Sequence, residues 1–184
     1  TYKRGTVVVF KNLISLFNQN GYSTDESQSA REEAKKRLVF FKHIIEECDG
    51  YKNLYVKGEK IAKENDLQRL FRFVWYGTNY KVDAEPNNGR GQADFIVSIG
   101  QKNQNIVEFK LASNSTLDHV FTQVKIYEAA NCSDGSLIAI FYFSESEYLT
   151  SRQIVIDAGY ENMINDSIYL IDCRNDNKPS ASIA

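Results

Sequence analysis

The chain has 184 residues, 42 % of them hydrophobic and 25 % charged, with a formal net charge of −2 at pH 7. That length and balance suit one domain with a full core; no apolar run reaches the roughly 18–20 residues of a membrane span, and no secretory leader pattern is visible. A dedicated metal-free DNA binder would be strongly basic, because phosphate neutralisation drives its affinity, so the near-neutral balance suits a domain whose own metal ions offset substrate charge, or one delivered by partner domains.

The chain starts at Thr1 rather than Met, so upstream domains of a longer chain are expected. Residues 6–19 predict a helix, although Thr6 to Phe10 is rich in β-branched side chains and could begin as a strand. The polar run 23–27 is a helix start signal. The stretch 26–48 then predicts a helix with a charged first half and an apolar second half, ended by Asp49-Gly50. Residues 59–77 predict another, with Ile61, Leu67, Leu70, Phe71, Val74 and Trp75 as its stripe and Gly77 as its stop. Strands are predicted at 79–85, 93–99, 104–111, 136–143 and 167–173, and helices at 116–130 and 147–158. The expected organisation is a helical extension over 1–50, a compact α/β unit over 51–174 and a polar tail over 175–184. The extension is also where a homo-oligomer contact would be sought. Cys48, Cys132 and Cys173 form no CxxC pair, which predicts free thiols and a cytoplasmic setting. His43 lies in an apolar helical stretch, and His119 lies near the start of a helix close to the residues considered next.

Two short segments carry the chemistry. Gly-Gln-Ala-Asp-Phe spans 91–95 and Val-Glu-Phe-Lys spans 107–110. Strand alternation sends Phe95, Val97, Val107, Phe109 and Leu111 to apolar faces and Asp94, Glu108 and Lys110 to the opposite ones. The connection at 100–104 is short enough for a hairpin, which would bring the two acids and the lysine to one end of the sheet. Magnesium prefers hard oxygen ligands, typically one or two carboxylates with waters and substrate phosphate. Asp94 and Glu108 supply such ligands, and the Phe109 backbone carbonyl is a reasonable third. Lys110 suits charge stabilisation or water positioning better than proton abstraction, because neighbouring acids favour its protonated form. The loop before Asp94 holds Gly89, Arg90 and Gly91. Its glycines allow close backbone approach to a phosphate, and the guanidinium offers a bidentate contact. No GxxxxGK[ST], GxSxG or HExxH pattern occurs, which argues against P-loop ATP hydrolysis, acyl transfer by a nucleophile elbow and zinc peptidase chemistry.

Asp94 followed by Glu108-Phe-Lys110 resembles the PD-(D/E)xK nuclease superfamily over roughly residues 60–145, with Ala93 in place of the proline. The run Gln123-Val-Lys-Ile-Tyr127 is similar to the QxxxY motif of its RecB-like branch. The resemblance implies a restriction-endonuclease-like α/β core, a central mixed sheet flanked by helices. It implies an acid on the preceding helix, Glu64 with Asp66 as the alternative, beside the metal ligands Asp94, Glu108 and Phe109. It implies supporting roles for Gln123 and Tyr127, Mg2+ as cofactor with Mn2+ as a substitute, and nucleic acid, DNA first, as substrate. The Asn-Asn-Gly-Arg-Gly run at 87–91 resembles one found in bacterial nuclease-like domains at the C-termini of larger proteins, some tied to phage defence. The alternative expectation is a binding or assembly module that keeps the fold without turnover.

Overall fold

The computed structural model describes residues 29–61, 63–86, 92–100, 102–131 and 133–178. The helix expected at 6–19, the loop residues Gly89, Arg90 and Gly91, Cys132 and the end of the tail lie outside the described residues.

Helix α1 (Ala30–Glu47) opens on Ser29, whose side chain accepts from the Glu32 backbone N–H, filling one of the donors every helix start leaves unpaired. Its buried residues Ala30, Ala34, Leu38, Phe41 and Ile45 recur every three or four positions and so line one face. The helix stops where Asp49 turns left-handed, at φ 61. Gly50 follows because a Cβ there would lie 2.5 Å from the Ile44 carbonyl oxygen. A 3-10 turn, Gly50–Leu54, leads into a hairpin of β1 (Tyr55–Val56) and β2 (Glu59–Lys60). Its two-residue loop, Lys57 at φ 55 and Gly58 at φ 85, has the double positive φ that a tight hairpin requires.

That hairpin corrects the helix expected over 59–77. The helix, α2, runs only from Glu64 to Phe73. Ile61 is held outside it by donating its backbone N–H to the Leu54 carbonyl at 2.9 Å. Val74 to Gly77 form a turn that closes at Gly77, φ 73.

The remaining elements are β3 (Lys81–Ala84), β4 (Phe95–Ile99), β5 (Asn103–Leu111), α3 (Val120–Asn131), β6 (Ser136–Tyr142), α4 (Glu145–Asp157) and β7 (Ile168–Asp172). A 3-10 turn, Leu117–His119, leads into α3, so the helix starts four residues later than expected. The five strands form one mixed sheet in chain order from β3 to β7. The pairs β3–β4 and β4–β5 are antiparallel, and β5–β6 and β6–β7 are parallel. The chain is thus a mixed α/β fold with helices on both sides of a five-stranded sheet.

Alternation along the strands decides which helix covers which face. Phe95, Val97, Val107, Phe109, Leu111, Leu137, Ala139 and Phe141 share a core with α1 and α2. Ile138, Ile140, Ile168 and Leu170 share another with Leu117, Val120, Phe121 and Val124 of the α3 region and Val155 of α4. At the centre of the first core, the rings of Phe41, Phe71, Phe95, Phe109 and Phe141 lie 5.0–6.2 Å apart in tilted, edge and stacked pairs. Polar contacts tie α1 to the same body. Lys42 Nζ donates to the Leu170 carbonyl at 2.8 Å, Arg37 Nη1 to the Val74 carbonyl at 2.6 Å, and the Asp172 N–H donates to Glu46 at 2.8 Å. Helix α1, the described part of the expected extension over 1–50, therefore shares one core with the α/β unit. Among the described residues no helix is long and apolar enough to cross a membrane.

Candidate active site

The antiparallel ladder between β4 and β5 begins at the pair Phe95 and Val107. Asp94 lies one residue before that pair and Glu108 one residue after it, so both flank the place where the strands part. Beyond it, the β4-facing edge of β5 has no strand partner among the described residues, and its amides need other acceptors. The Phe109 N–H donates to Asp94 Oδ2 at 2.6 Å, and the Leu111 N–H donates to Glu64 Oε1 at 3.0 Å. Two carboxylates thus occupy the notch where a longer β4 would have been. In an extended strand a residue's N–H and C=O point to the same side, so the Phe109 carbonyl faces this notch as well.

The charged groups meet there. Glu108, 2 % exposed, receives Lys110 Nζ on Oε1 at 2.8 Å and the Asp94 backbone N–H on Oε2 at 3.3 Å. Lys110 Nζ also lies 3.9 Å from Glu64 Oε2. Glu64 is the first residue of α2, where the helix dipole favours a carboxylate. One turn on, Gln68 donates from Nε2 to Asp94 Oδ1 at 2.6 Å. Asn114 Nδ2 reaches Glu64 Oε1 at 3.4 Å. A polar cleft of about 380 Å³, lined by Lys63, Glu64, Asn65, Leu111, Ser113 and Asn114, opens beside Glu64.

Burial and proximity bias the protons. Burial first, and then the neighbouring Glu108 charge, push the Asp94 carboxyl up to about 8. Burial also raises Glu108, against the pull of Lys110. Burial alone would lower the Lys110 ammonium, but Glu108, Glu64 and Asp94 outweigh it and hold the group more firmly protonated. The cluster is therefore an acid pair that resists full ionisation, with a fixed cation against it.

The helix α3 contributes from the other face. Tyr127 packs against Ala93, Ile96 and Ile106. Burial raises its phenol, and the charges of Glu108, Lys110 and Asp94 all act on it, which puts the ring beside the cluster. Gln123 Oε1 is buried with no hydrogen-bond partner among the described residues, a costly condition for an amide oxygen. The structure so brings together Glu64, Asp94, Glu108, Phe109 and Lys110, with Tyr127 alongside and Gln123 one turn away on the same helix. Asp66, the alternative to Glu64, instead pairs with Arg69 on the outside of α2. His119 Nε2 lies 3.9 Å from Asp118 Oδ2, both side chains in solvent. Sequence reasoning missed Gln68 and Asn114. Gln68 carried a usable signal, since a residue four positions after Glu64 shares its helix face.

Among the described residues, no group of three or more His, Cys, Asp and Glu side chains is arranged to hold a metal ion. The donor chemistry nonetheless fits a hard cation. Each ionised carboxylate has about four lone-pair sites, of which the contacts above use only part. A family model described as a domain of unknown function (DUF8371) matches residues 30–145, and the chain belongs to that family. The match runs from the first residue of α1 to the first of α4 and includes every residue of the cluster. No curated protein and no solved structure matches the chain.

Proposed function

We propose that this member of the DUF8371 family is a metal-dependent nuclease with a restriction-endonuclease-like core, hydrolysing phosphodiester bonds in nucleic acid, DNA first. The observation that carries the reading is the notch at the β4–β5 divergence, where Glu64, Asp94 and Glu108 converge around Lys110. Supporting it are the order of elements, a helix with an acid, then strands, then a helix and a strand, and the Gln123–Tyr127 turn beside the cluster. Magnesium, or manganese in its place, would be held by Asp94 and Glu108, with the Phe109 carbonyl and Glu64 completing the set. Such an ion supplies Lewis-acid stabilisation of a phosphoryl group and lowers the pKa of water.

The chain's own residues then have distinct tasks. Asp94 and Glu108 concentrate negative charge where burial makes it costly, so a cation or a proton is favoured there. Lys110 stays protonated and presents N–H donors to a phosphoryl oxygen or to the attacking water. Gln123 and Tyr127 offer an amide and a phenol to substrate phosphate. Arg90, flanked by Gly89 and Gly91 in the sequence run ahead of Asp94, would take a second phosphate. A role as the effector module of a larger defence protein in the cytoplasm is consistent with the loop resemblance.

A second reading, a binding or assembly module without turnover, is favoured by one observation. Every carboxylate of the cluster already accepts an internal hydrogen bond. One experiment separates the two. Single- and double-stranded DNA and RNA are incubated with the chain in magnesium, manganese or chelator. The nuclease reading expects cleavage that chelator abolishes and that Asp94→Asn and Lys110→Met each reduce on the order of 10²–10³-fold, the scale of a lost charge-stabilising group. Undiminished cleavage in either variant, or none with any ion, overturns it.

A further inference from the structure

Helix α2 faces two ways. Glu64 and Gln68 turn toward the notch, while Leu67 and Phe71 enter the core. Its remaining face, continued into the following turn, carries Arg69, Arg72, Phe73 and Tyr76. These positions follow the one, four, five and eight spacing of a single helical stripe. Phe73 is 78 % exposed and Tyr76 93 % exposed, the two most exposed large hydrophobic side chains among the described residues. Arg72 is exposed without an ion-pair partner among the described residues. Among the described residues Arg69 meets only Asp66, at 3.0 Å in solvent, a pairing worth little. Beside the stripe runs a groove of about 360 Å³ lined by Trp75, Val82, Ala84 and Phe95 together with Arg72, Phe73 and Tyr76. Helix α2, with the turn that follows it, carries both this stripe and the cluster residues Glu64 and Gln68, and Phe95, which lines the groove, follows Asp94 in the chain.

We propose that this stripe and groove bind unpaired nucleotides, so that the cluster beside them acts on single-stranded nucleic acid. Action on that strand rests on the nuclease reading; the binding itself does not. Aromatic faces interleaved with guanidinium groups suit bases and phosphates together, because every base has a stackable face and every linkage a charge. The stripe spans roughly 10 Å at 1.5 Å per residue, enough for two or three bases at about 3.4 Å each. The occupant is not a second protein surface. Two aromatic rings offer about 150–250 Å² each, short of the roughly 800 Å² per partner of a stable interface. Strand addition is also discouraged, since β3 at this edge is only four residues long and carries the Lys81–Asp83 ion pair.

The test uses the full chain carrying Asp94→Asn in chelator, so that nothing is consumed, with a labelled short oligothymidylate as probe. Trp75 is the chain's single tryptophan and lines the groove, so its emission gives a local second readout. Phe73→Ala and Tyr76→Ala, both at exposed positions, should each weaken oligothymidylate binding about tenfold. Arg72→Ala should lessen its salt dependence, and blunt duplex of equal length should bind far more weakly and be insensitive to Phe73 and Tyr76. Unchanged oligothymidylate affinity in both aromatic variants overturns the inference, as does an equal loss for the duplex. So does self-association of the chain that Phe73→Ala abolishes. If stripe variants lose binding while the wild-type chain cleaves nothing with any ion, the surface stands and the nuclease reading falls. If the wild-type chain cleaves and stripe variants bind normally, the reverse holds.

Discussion

Burial holds both Asp94 and Glu108 above the ordinary carboxylate range. The sign of the effect follows from linkage. Unfolded, Asp94 loses its proton near its ordinary value of 3.8; folded, it keeps it to about 8. Between those values the folded state binds more protons than the unfolded one, so stability falls as pH rises. Denaturant midpoints taken in chelator should decline from about pH 4 to about 8 in the wild-type chain and decline less in Asp94→Asn. Parallel profiles would contradict the assignment. Magnesium added at the upper end should restore wild-type stability and leave Asp94→Asn unmoved. Lys110 is the complementary case, since removing it strands Glu108. Lys110→Met should cost about 3–5 kcal/mol where both acids are ionised and less at low pH, where Glu108 takes a proton instead. Thermal unfolding at two pH values tests this. The three charged residues were legible in the sequence because alternation along two neighbouring segments puts them on one side of the sheet. Gln68 was legible only as a neighbour of Glu64 on one helix face; its bond to Asp94 depends on where α2 lies against β4.

At the scale of elements, α2 positions the site through apolar packing. Phe71 meets Phe41, Phe95 and Phe109 at 5.0–5.3 Å and is fully buried. Phe71→Ala should destabilise the fold by about 3–5 kcal/mol. The milder Phe71→Leu should leave the fold intact and reduce cleavage by loosening the helix that holds Glu64 and Gln68; circular dichroism and single-turnover rates separate the two effects. The expected helix over 59–77 was too long for a physical reason. Ile61 fits a helical stripe as well as it fits the end of a hairpin, and periodicity alone cannot choose between them. The Lys57-Gly58 turn and the Leu54 carbonyl decide in favour of the hairpin.

At the scale of the molecule, α1 is part of the body rather than an appendage. Ala30, Ala34, Leu38, Phe41 and Ile45 cover the same sheet face as α2. Deleting residues through 50 should therefore abolish cooperative unfolding, read as loss of near-ultraviolet circular dichroism and of a thermal transition. A truncated chain that still melts cooperatively would make α1 dispensable. The family match, which begins at residue 30, agrees with α1 as an integral element. The −2 net charge leaves any cationic surface local rather than global, which is why the arginine stripe on α2 escaped a reading based on overall charge.

The sequence by itself determined the five strands of the sheet, the apolar side of the two segments that carry the acids and the lysine, and the residue types able to hold a cation. These follow from period-two alternation and side-chain chemistry, which are local properties. Only the tertiary structure decided that β4 ends one residue after Asp94 in the direction of the notch, that α2 inserts Glu64 there to take the Leu111 amide, and that Gln68 holds Asp94. Those outcomes depend on the termination of a ladder between distant segments and on how α2 sets Phe71 among the rings of Phe41, Phe95 and Phe109. No window of sequence contains either. The exposed arginine and aromatic stripe has the same origin, since which face of α2 stays in solvent is settled by the face that enters the core.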